Sequence, residues 1–174
     1  GSKGDYASAI EWRQKALNLQ WENKPTPWSD IVQTHSSIGR YYRKMGLFDS
    51  CYTYFSQALH YGRQQLSPTD PALLEVINSL GIYYYLLGSC DTALIYYQEV
   101  LTGWMATQGP NDPKVANVYN NMGICFGLQG NYERSLECYN SALNIRWEYY
   151  GDCHPSVAAS FLNLGVNHHE MADY

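Results

Sequence analysis

The stretch NVYNNMGICFGLQGNYERSLECY, residues 117–139, carries the signal that decides the fold of this chain. Gly123, Gly127 and Gly130 interrupt a pattern that otherwise predicts helix. A glycine inside a helix costs about 1 kcal/mol relative to alanine. Several glycines in one helical stretch therefore indicate that the tertiary structure requires positions without a side chain.

Two of these glycines belong to series that recur along the chain every 42 residues. The series are Gly39, Gly81, Gly123 and Gly165; Gly4, Gly46, Gly88 and Gly130; Pro71, Pro113 and Pro155; and Leu17, Leu59, Leu101 and Leu143. Four series that share one period indicate an internal structural repeat. Gly127 lies outside all of them, and the repeat does not explain it.

The proline series predicts where helices begin. Proline suits the first position of a helix because the backbone N–H that it lacks has no partner there. Asp70 and Asp112 precede two of the prolines as predicted N-caps, and His154 holds the same place before the third. The second glycine series ends the amphipathic patterns, and a left-handed glycine often terminates a helix. Another amphipathic stretch follows, so the repeat unit is a helical hairpin, helix A and then helix B.

The predicted fold is all-α, a right-handed α-solenoid of antiparallel helix hairpins with eight helices. We expect one array over residues 1–174, opened by a B helix without its partner over residues 5–21 and closed by an A helix without its partner over residues 155–171. The complete repeats between them are predicted at about 29–66, 71–108 and 113–150.

The first glycine series lies in the middle of the predicted A helices, on the face expected to be buried. A glycine there lets a bulky side chain of the neighbouring helix approach closely, and dense packing then offsets the propensity cost. Phe55, Tyr97 and Tyr139 hold the corresponding positions of the B helices. We therefore expect these glycines to be architectural.

The repeat pattern resembles a known family. Each of the first three A helices carries a hydrophobic residue and glycine, then an aromatic residue three positions later, at Tyr42, Tyr84 and Phe126. With the turn glycine and the small and aromatic residues of helix B, this pattern resembles the tetratricopeptide repeat, whose usual period is about 34 residues. The longer period and the stretches GPNDPKVANVYNNMG (109–123) and YYGDCHPSVAASFLNLG (149–165) are similar to kinesin light chain repeats.

The resemblance implies a superhelix whose inner wall is built from stacked A helices and binds peptides along its length. In the family, asparagines on this wall contact the peptide backbone, and the matching positions here are Asn121 and Asn163. Kinesin light chains read short acidic peptides that contain an aromatic residue. The resemblance does not identify the cargo of this chain.

The exposed stripe of each A helix lies opposite its buried glycine face, and helical geometry places it. The candidate peptide-binding residues on or beside these stripes are Arg40, Arg43, Lys44, Glu75, Asn78, Ser79, Ile82, Tyr85, Asn117, Asn120, Asn121, Ile124 and Asn163. Asparagine both donates and accepts hydrogen bonds, so it suits a peptide main chain. The alternative is that these asparagines are solvated residues on an exposed helix face.

The other candidates have different expected roles. The cations of the first A helix suit acidic side chains or a C-terminal carboxylate. The apolar members Ile82, Tyr85 and Ile124 are expected to line an apolar pocket. Residues 1–63 hold 8 Lys/Arg against 5 Asp/Glu, whereas residues 64–174 hold 3 against 11, so the basic residues lie towards the first A helix.

Several function classes are disfavoured. The net charge of −5 disfavours a nucleic-acid partner, and the absence of a long apolar run disfavours a membrane span. The five cysteines form no C-x-x-C pair, which favours reduced thiols and a cytoplasmic location. No zinc spacing, nucleotide-binding loop or catalytic motif is present, so we expect neither an enzyme nor a metal or cofactor.

We therefore expect a non-catalytic scaffold that binds a protein or peptide in the groove of the A helices, with acidic residues in the partner compatible with the basic end. The alternative is a structural module that associates with itself end to end. The last A helix has no predicted B helix after it, which leaves Phe161 and Leu164 partly bare.

Overall fold

The computed structural model describes residues 3–22 and 26–172, and every regular element in those ranges is an α-helix. The helices are α1 (Lys3–Glu22), α2 (Trp28–Met45), α3 (Phe48–Gln65), α4 (Pro71–Leu86), α5 (Cys90–Gln108), α6 (Pro113–Leu128), α7 (Tyr132–Tyr150) and α8 (Pro155–Ala172). The even-numbered helices are the A helices and the odd-numbered ones the B helices. The predicted all-α fold with eight helices is confirmed for the described residues.

The chain divides into two compact units, residues 1–83 and 84–174. In the first unit, α2 packs against α1 and α3. In the second unit, α6 packs against α5 and α7, and α7 also packs against α8. A single array over residues 1–174 stays a prediction, and residues 1, 2, 23–25, 173 and 174 of that range lie outside the described part.

Three A helices begin at the predicted prolines, because the preceding side chain replaces the missing backbone partner. Asp70 Oδ1 accepts a hydrogen bond from the N–H of Ala72 at 2.8 Å. Asp112 Oδ1 accepts one from the N–H of Lys114 at 2.7 Å. At α8 the Nδ1 atom of His154 accepts one instead, at 3.2 Å. The predicted N-cap aspartates are confirmed, and the ring of His154 performs the same task.

The turns within the hairpins end on glycines in the left-handed conformation, as predicted. The φ angles of Gly46, Gly88 and Gly130 are 77°, 76° and 75°. In each turn the glycine N–H and the next N–H donate to carbonyls of the last helical turn at 2.9–3.0 Å, which satisfies groups that the helix leaves unpaired. In the α2–α3 and α6–α7 hairpins, these short connections make the two helices antiparallel neighbours.

The glycines in the middle of the A helices allow close approach of a B-helix ring. A methyl group on Gly39 would lie 2.6 Å from Cδ1 of Phe55, and one on Gly123 would lie 2.7 Å from Cε1 of Tyr139. Both distances are too short for carbon atoms that are not bonded. The predicted role of these two glycines is confirmed. Gly165 has no neighbour within 4 Å of such a methyl group, because α8 has no following helix among the described residues.

Partly buried aromatic side chains pack against the aliphatic core of the first unit. Trp21, Trp28 and Tyr61 contact one another with ring centroids 5.5–5.9 Å apart. His35 adjoins this cluster, with its ring 5.4 Å from that of Tyr61, and it is only 3% exposed. Its Nδ1 atom lies 2.8 Å from the carbonyl oxygen of Ile31. Burial lowers the pKa of His35, and the backbone hydrogen bond opposes part of this effect.

We predict opposite effects of alanine at two equivalent A-helix glycines. Gly123→Ala forces the added methyl group against the Tyr139 ring and should lower the free energy of unfolding by about 1–3 kcal/mol. Gly165→Ala meets open space and should raise it by about 0.5–1 kcal/mol through helix propensity. Urea denaturation followed by circular dichroism measures both values. Equal effects of the two substitutions would contradict the assigned role of Gly123.

We also predict that His35 makes the stability of the first unit depend on pH. Its pKa is lower in the folded chain than the ordinary 6.5, so the unfolded chain takes up the proton first as the pH falls. The free energy of unfolding should therefore decrease as the pH falls below this value and should not change through His35 above it. In His35→Gln, whose amide can still donate to Ile31, denaturation at a series of pH values should show a weaker dependence. An unchanged dependence would exclude His35 as its source.

Candidate functional site

The candidate residues of α2 combine three cations. Arg40 is half-buried, and its Nη2 donates a hydrogen bond to Ser37 Oγ at 3.0 Å. Arg43 is half-buried, with Nε shielded from solvent and without a hydrogen-bond partner in the described ranges. Lys44 is exposed, with Nζ 5.5 Å from the ring centroid of Tyr6. Within residues 3–22 and 26–172 none of the three forms an ion pair with a carboxylate.

The candidate residues of α4 differ in accessibility. Glu75, Asn78 and Ile82 are half-buried. Ser79 is 5% exposed, and its hydroxyl donates to the carbonyl oxygen of Glu75 at 2.8 Å, so it presents no free hydroxyl hydrogen to a partner. Asn78 Oδ1 is shielded from solvent and accepts no hydrogen bond within the described part of the chain. Tyr85, which belongs to the second unit, is half-buried near the end of α4.

Two candidate asparagines of the second unit, Asn117 and Asn120, contact a buried arginine. Arg146 on α7 is 7% exposed, and its Nη2 donates to Asn117 Oδ1 on α6 at 3.0 Å. Its Nη1 donates to Ser160 Oγ on α8 at 2.7 Å and lies 3.4 Å from Asn120 Oδ1. The carbonyl oxygen of Ser156 lies 3.4 Å from the same Nη1. One guanidinium therefore links α6, α7 and α8.

This network determines which atom each amide presents. A guanidinium only donates, so the Oδ1 atoms of Asn117 and Asn120 face Arg146 and their Nδ2 groups remain as donors. Asn120 Oδ1 also accepts from Asn163 Nδ2 at 2.8 Å, which leaves Asn163 Oδ1 as an acceptor. Asn121 is half-buried and makes no side-chain hydrogen bond to another described residue. The unit thus offers donors and acceptors in defined orientations.

Sequence reasoning missed Arg146, although a signal was present. The same position of the preceding B helices holds Gly62 and Trp104, both buried. A charged residue at a position that the repeat buries indicates a specific polar environment. Burial lowers the pKa of Arg146, and the neutral acceptors around it compensate for the loss of water.

A pocket of about 430 Å³ lies beside this network in the second unit. Its lining comprises Ile124, Gly127 and Leu128 of α6; Tyr132 and Tyr139 of α7; and Asn163, Val166, Asn167 and Glu170 of α8. The structure therefore brings two of the candidate residues, Ile124 and Asn163, to one cavity. Asn167 was missed, although its polar side chain holds a position that Tyr83 and Cys125 hold, buried, in earlier repeats.

No group of three or more His, Cys, Asp or Glu side chains in the described ranges is arranged to hold a metal ion. Among those ranges, no helix combines the length and the apolar character needed to cross a bilayer.

We predict that the Arg146 network stabilises the second unit more than an exposed arginine on the same helix does. Arg146→Ala leaves a cavity and buried acceptors without donors, and should lower the free energy of unfolding by about 2–4 kcal/mol. Arg146→Lys should cost less, because an ammonium group can replace part of the donors. The control is Arg134→Ala, which removes only a contact 4.6 Å from the Phe126 ring. Similar small losses in all three variants, measured by urea denaturation, would contradict this assignment.

Solved structures with the same fold were found. BtubC (BKLC) from P. vanneervenii superposes with a TM-score of 0.90 at 23% sequence identity, over 98% of this chain and 68% of that one. The nearly identical TPR-like repeats of a kinesin light chain-like protein from P. anserina superpose with a TM-score of 0.78 at 16% identity, over 98% of this chain and 81% of that one. At these identities the likeness shows the fold. Comparison with curated protein sequences gave no match.

The tetratricopeptide repeat profile matches residues 30–104, 84–146 and 114–174. Together these matches cover well over half of the chain, and they confirm the resemblance that the glycine and proline series suggested. Tetratricopeptide repeats generally serve as scaffolds for protein–protein interaction, and their domains bind protein partners. The chain belongs to the tetratricopeptide repeat family.

Proposed function

We propose that the chain is a non-catalytic scaffold that binds an extended peptide, or an extended segment of a partner protein, along the faces of its A helices. The observation that carries this proposal is the set of amides held by Arg146 in the second unit. A free peptide main chain presents one N–H and one carbonyl per residue. The Nδ2 groups of Asn117 and Asn120 suit the carbonyls, and Asn163 Oδ1 suits the N–H groups.

The advantage of this arrangement is that the asparagine side chains are already oriented before a partner binds. A side chain that is already ordered loses less conformational entropy when a partner arrives, and that cost is about 0.5–1.5 kcal/mol for a mobile side chain. Each net hydrogen bond contributes about 0.5–1.5 kcal/mol, whereas micromolar affinity requires about 8 kcal/mol. Side-chain anchors must therefore add to the amides, and Ile124, half-buried beside Asn120 and Asn121, suits such an anchor.

The first unit supports the proposal through the cations of α2, none of which pairs with a carboxylate within the described ranges. Arg40 is half-buried and Lys44 is exposed, so this face suits a segment that carries acidic side chains. Arg43, Glu75, Asn78, Ser79 and Ile82 complete the proposed lining of the first unit, and Tyr85 belongs to that of the second.

The remaining parts of the proposal concern chemistry and location. We place the protein in the cytoplasm, since four of its five cysteines are free thiols in buried positions. We propose no catalytic residue, cofactor, nucleic-acid partner or membrane contact.

A display library of random peptides tests the proposed function. Peptides that bind should lose about threefold to tenfold in affinity with Asn121→Ala, which removes one amide without disturbing the Arg146 network. The matched control is Asn144→Ala, an exposed amide on the B helix α7. Charge reversal at Arg40 and Lys44 tests the first unit in the same way. Fluorescence polarisation measures the affinities. Absence of any binding peptide, or indifference of every one to all A-helix substitutions, would refute the groove.

Self-association is the second candidate function, and the open face of α8 favours it. Phe161, Leu162 and Val166 are 48%, 72% and 62% exposed there. Burying such side chains contributes about 1.5–3 kcal/mol each, so a second copy could cover this face. Sedimentation velocity over a range of concentrations accompanies the peptide experiment. A strict monomer removes this alternative and leaves peptide binding unaffected.

A further inference from the structure

Gly127 differs from Gly39 and Gly123 because packing does not require it. A methyl group there would lie 3.4 Å from Ser135 Oγ and 3.9 Å from Asn167 Oδ1, which are ordinary contact distances. The same position in the other A helices holds Arg43, Tyr85 and His169. Since Gly127 lines the 430 Å³ pocket, the effect of its missing side chain is to leave that space open.

The walls of this Gly127 pocket are partly apolar. Ile124 is half-buried, and Leu128 and Val166 are 66% and 62% exposed, so a bound group would cover apolar surface now in contact with water. The volume lies within the range of about 300–1,000 Å³ that is usual for ligand pockets. The pocket is therefore large enough for a long side chain of a partner.

The amides at the pocket both present oxygen. Asn167 is 4% exposed, and its Nδ2 donates to the carbonyl oxygen of Tyr132 at 3.0 Å. A carbonyl only accepts, so the amide orientation is determined, and Asn167 Oδ1 is left as an acceptor near Gly127. Asn163 likewise uses Nδ2 on Asn120 Oδ1, whose orientation Arg146 sets.

Glu170 adds a negative charge to these acceptors. It lines the pocket and forms no ion pair with a cation of the described residues. The Lys/Arg residues of the second unit are engaged elsewhere. Lys114 lies 4.0 Å from the Trp104 ring centroid, Arg134 lies 4.6 Å from that of Phe126, and Arg146 is buried in its own network. Asn163, Asn167 and Glu170 thus offer acceptors to the pocket, and no Lys or Arg among the described residues of the unit forms an ion pair with Glu170.

We propose that the Gly127 pocket binds one arginine side chain of the partner segment. The apolar stem packs against Ile124, Leu128 and Val166, and the guanidinium donates to the oxygens of Asn163, Asn167 and Glu170. This inference rests on the proposed function and names the side chain that this part of the groove reads.

An apolar occupant fits less well. It would remove water from a carboxylate and two amide oxygens without replacing their hydrogen bonds, which is unfavourable. A lysine keeps the charge but lacks the planar set of five N–H donors, so it should bind more weakly than arginine. The net charge of the second unit also favours a cationic side chain, since residues 84–174 hold three Lys/Arg against nine Asp/Glu.

The test uses two pentapeptides with blocked termini that differ only in the terminal group of the central side chain. One has arginine between pairs of alanines, and the other has citrulline, the neutral isostere, in its place. In a two-dimensional NMR titration of the full chain, the arginine peptide should bind about tenfold more tightly and shift the side-chain amide signals of Asn163 and Asn167. Its affinity should fall as salt is added. Equal binding of the two peptides, or no binding of either, would overturn the proposal.

Two substitutions locate the binding. Gly127→Leu fills the pocket and should weaken binding of the arginine peptide by about tenfold or more. Glu170→Gln removes the charge at an exposed position and should bring the arginine and citrulline peptides within about twofold of each other. Gly165→Ala is the matched control, a helix glycine outside this pocket, and should leave the affinity unchanged. Circular dichroism confirms that each variant is folded, and Glu170→Gln keeps the test decisive if Gly127→Leu fails to fold.

The outcome is separable from that of the display experiment. Library peptides that depend on Asn121, together with an arginine pentapeptide that does not respond to Gly127→Leu or Glu170→Gln, would support the groove and refute the arginine pocket. An arginine peptide that responds to both substitutions supports the pocket, whatever the library contains. Weak binding that all variants share equally would also refute the pocket.

Discussion

The close approach of an A helix to the ring of its B-helix partner is the constraint on which the α2–α3 and α6–α7 hairpins depend. Phe55 and Tyr139 occupy the space that a side chain on Gly39 or Gly123 would need. Only glycine permits this approach, and the helix propensity that it loses is recovered through dense packing. The spacing between the two helices, and hence the direction in which the rest of the A helix faces, follows from this contact.

Arg146 and the asparagines around it give the packed helices of the second unit a polar surface that suits a peptide. In the second unit, Arg146 stands where earlier repeats place Gly62 and Trp104, and its guanidinium orders two amides of α6 and contacts the Ser160 hydroxyl of α8. Burial of a cation is costly unless neutral acceptors surround it, so the asparagines and the arginine require each other. The proposed recognition surface is thus continuous with the interactions that hold α6, α7 and α8 together.

The predictive value of the sequence differed between kinds of residue. Helix starts at Asp70 and Asp112 and the left-handed turn glycines depend on contacts a few residues apart, and all were predicted. The aliphatic and amide residues of the A helices follow from helical period, but their hydrogen bonds do not. The burial of Ser79 and the pairing of Asn120 with Asn163, which are 43 residues apart, depend on how neighbouring helices pack.

The repeat, the positions of the eight helices in residues 3–22 and 26–172, and the two roles of the recurrent glycines follow from the sequence alone, because these are local or periodic properties of the chain. Only the tertiary structure decided which amide atoms remain available and why Gly127 is glycine. Hydrogen-bond polarity at Asn163 and Asn167 is set by Asn120, Arg146 and the Tyr132 carbonyl, which lie on other helices. A pocket likewise is a space between side chains from several elements, and no local pattern in the chain encodes it.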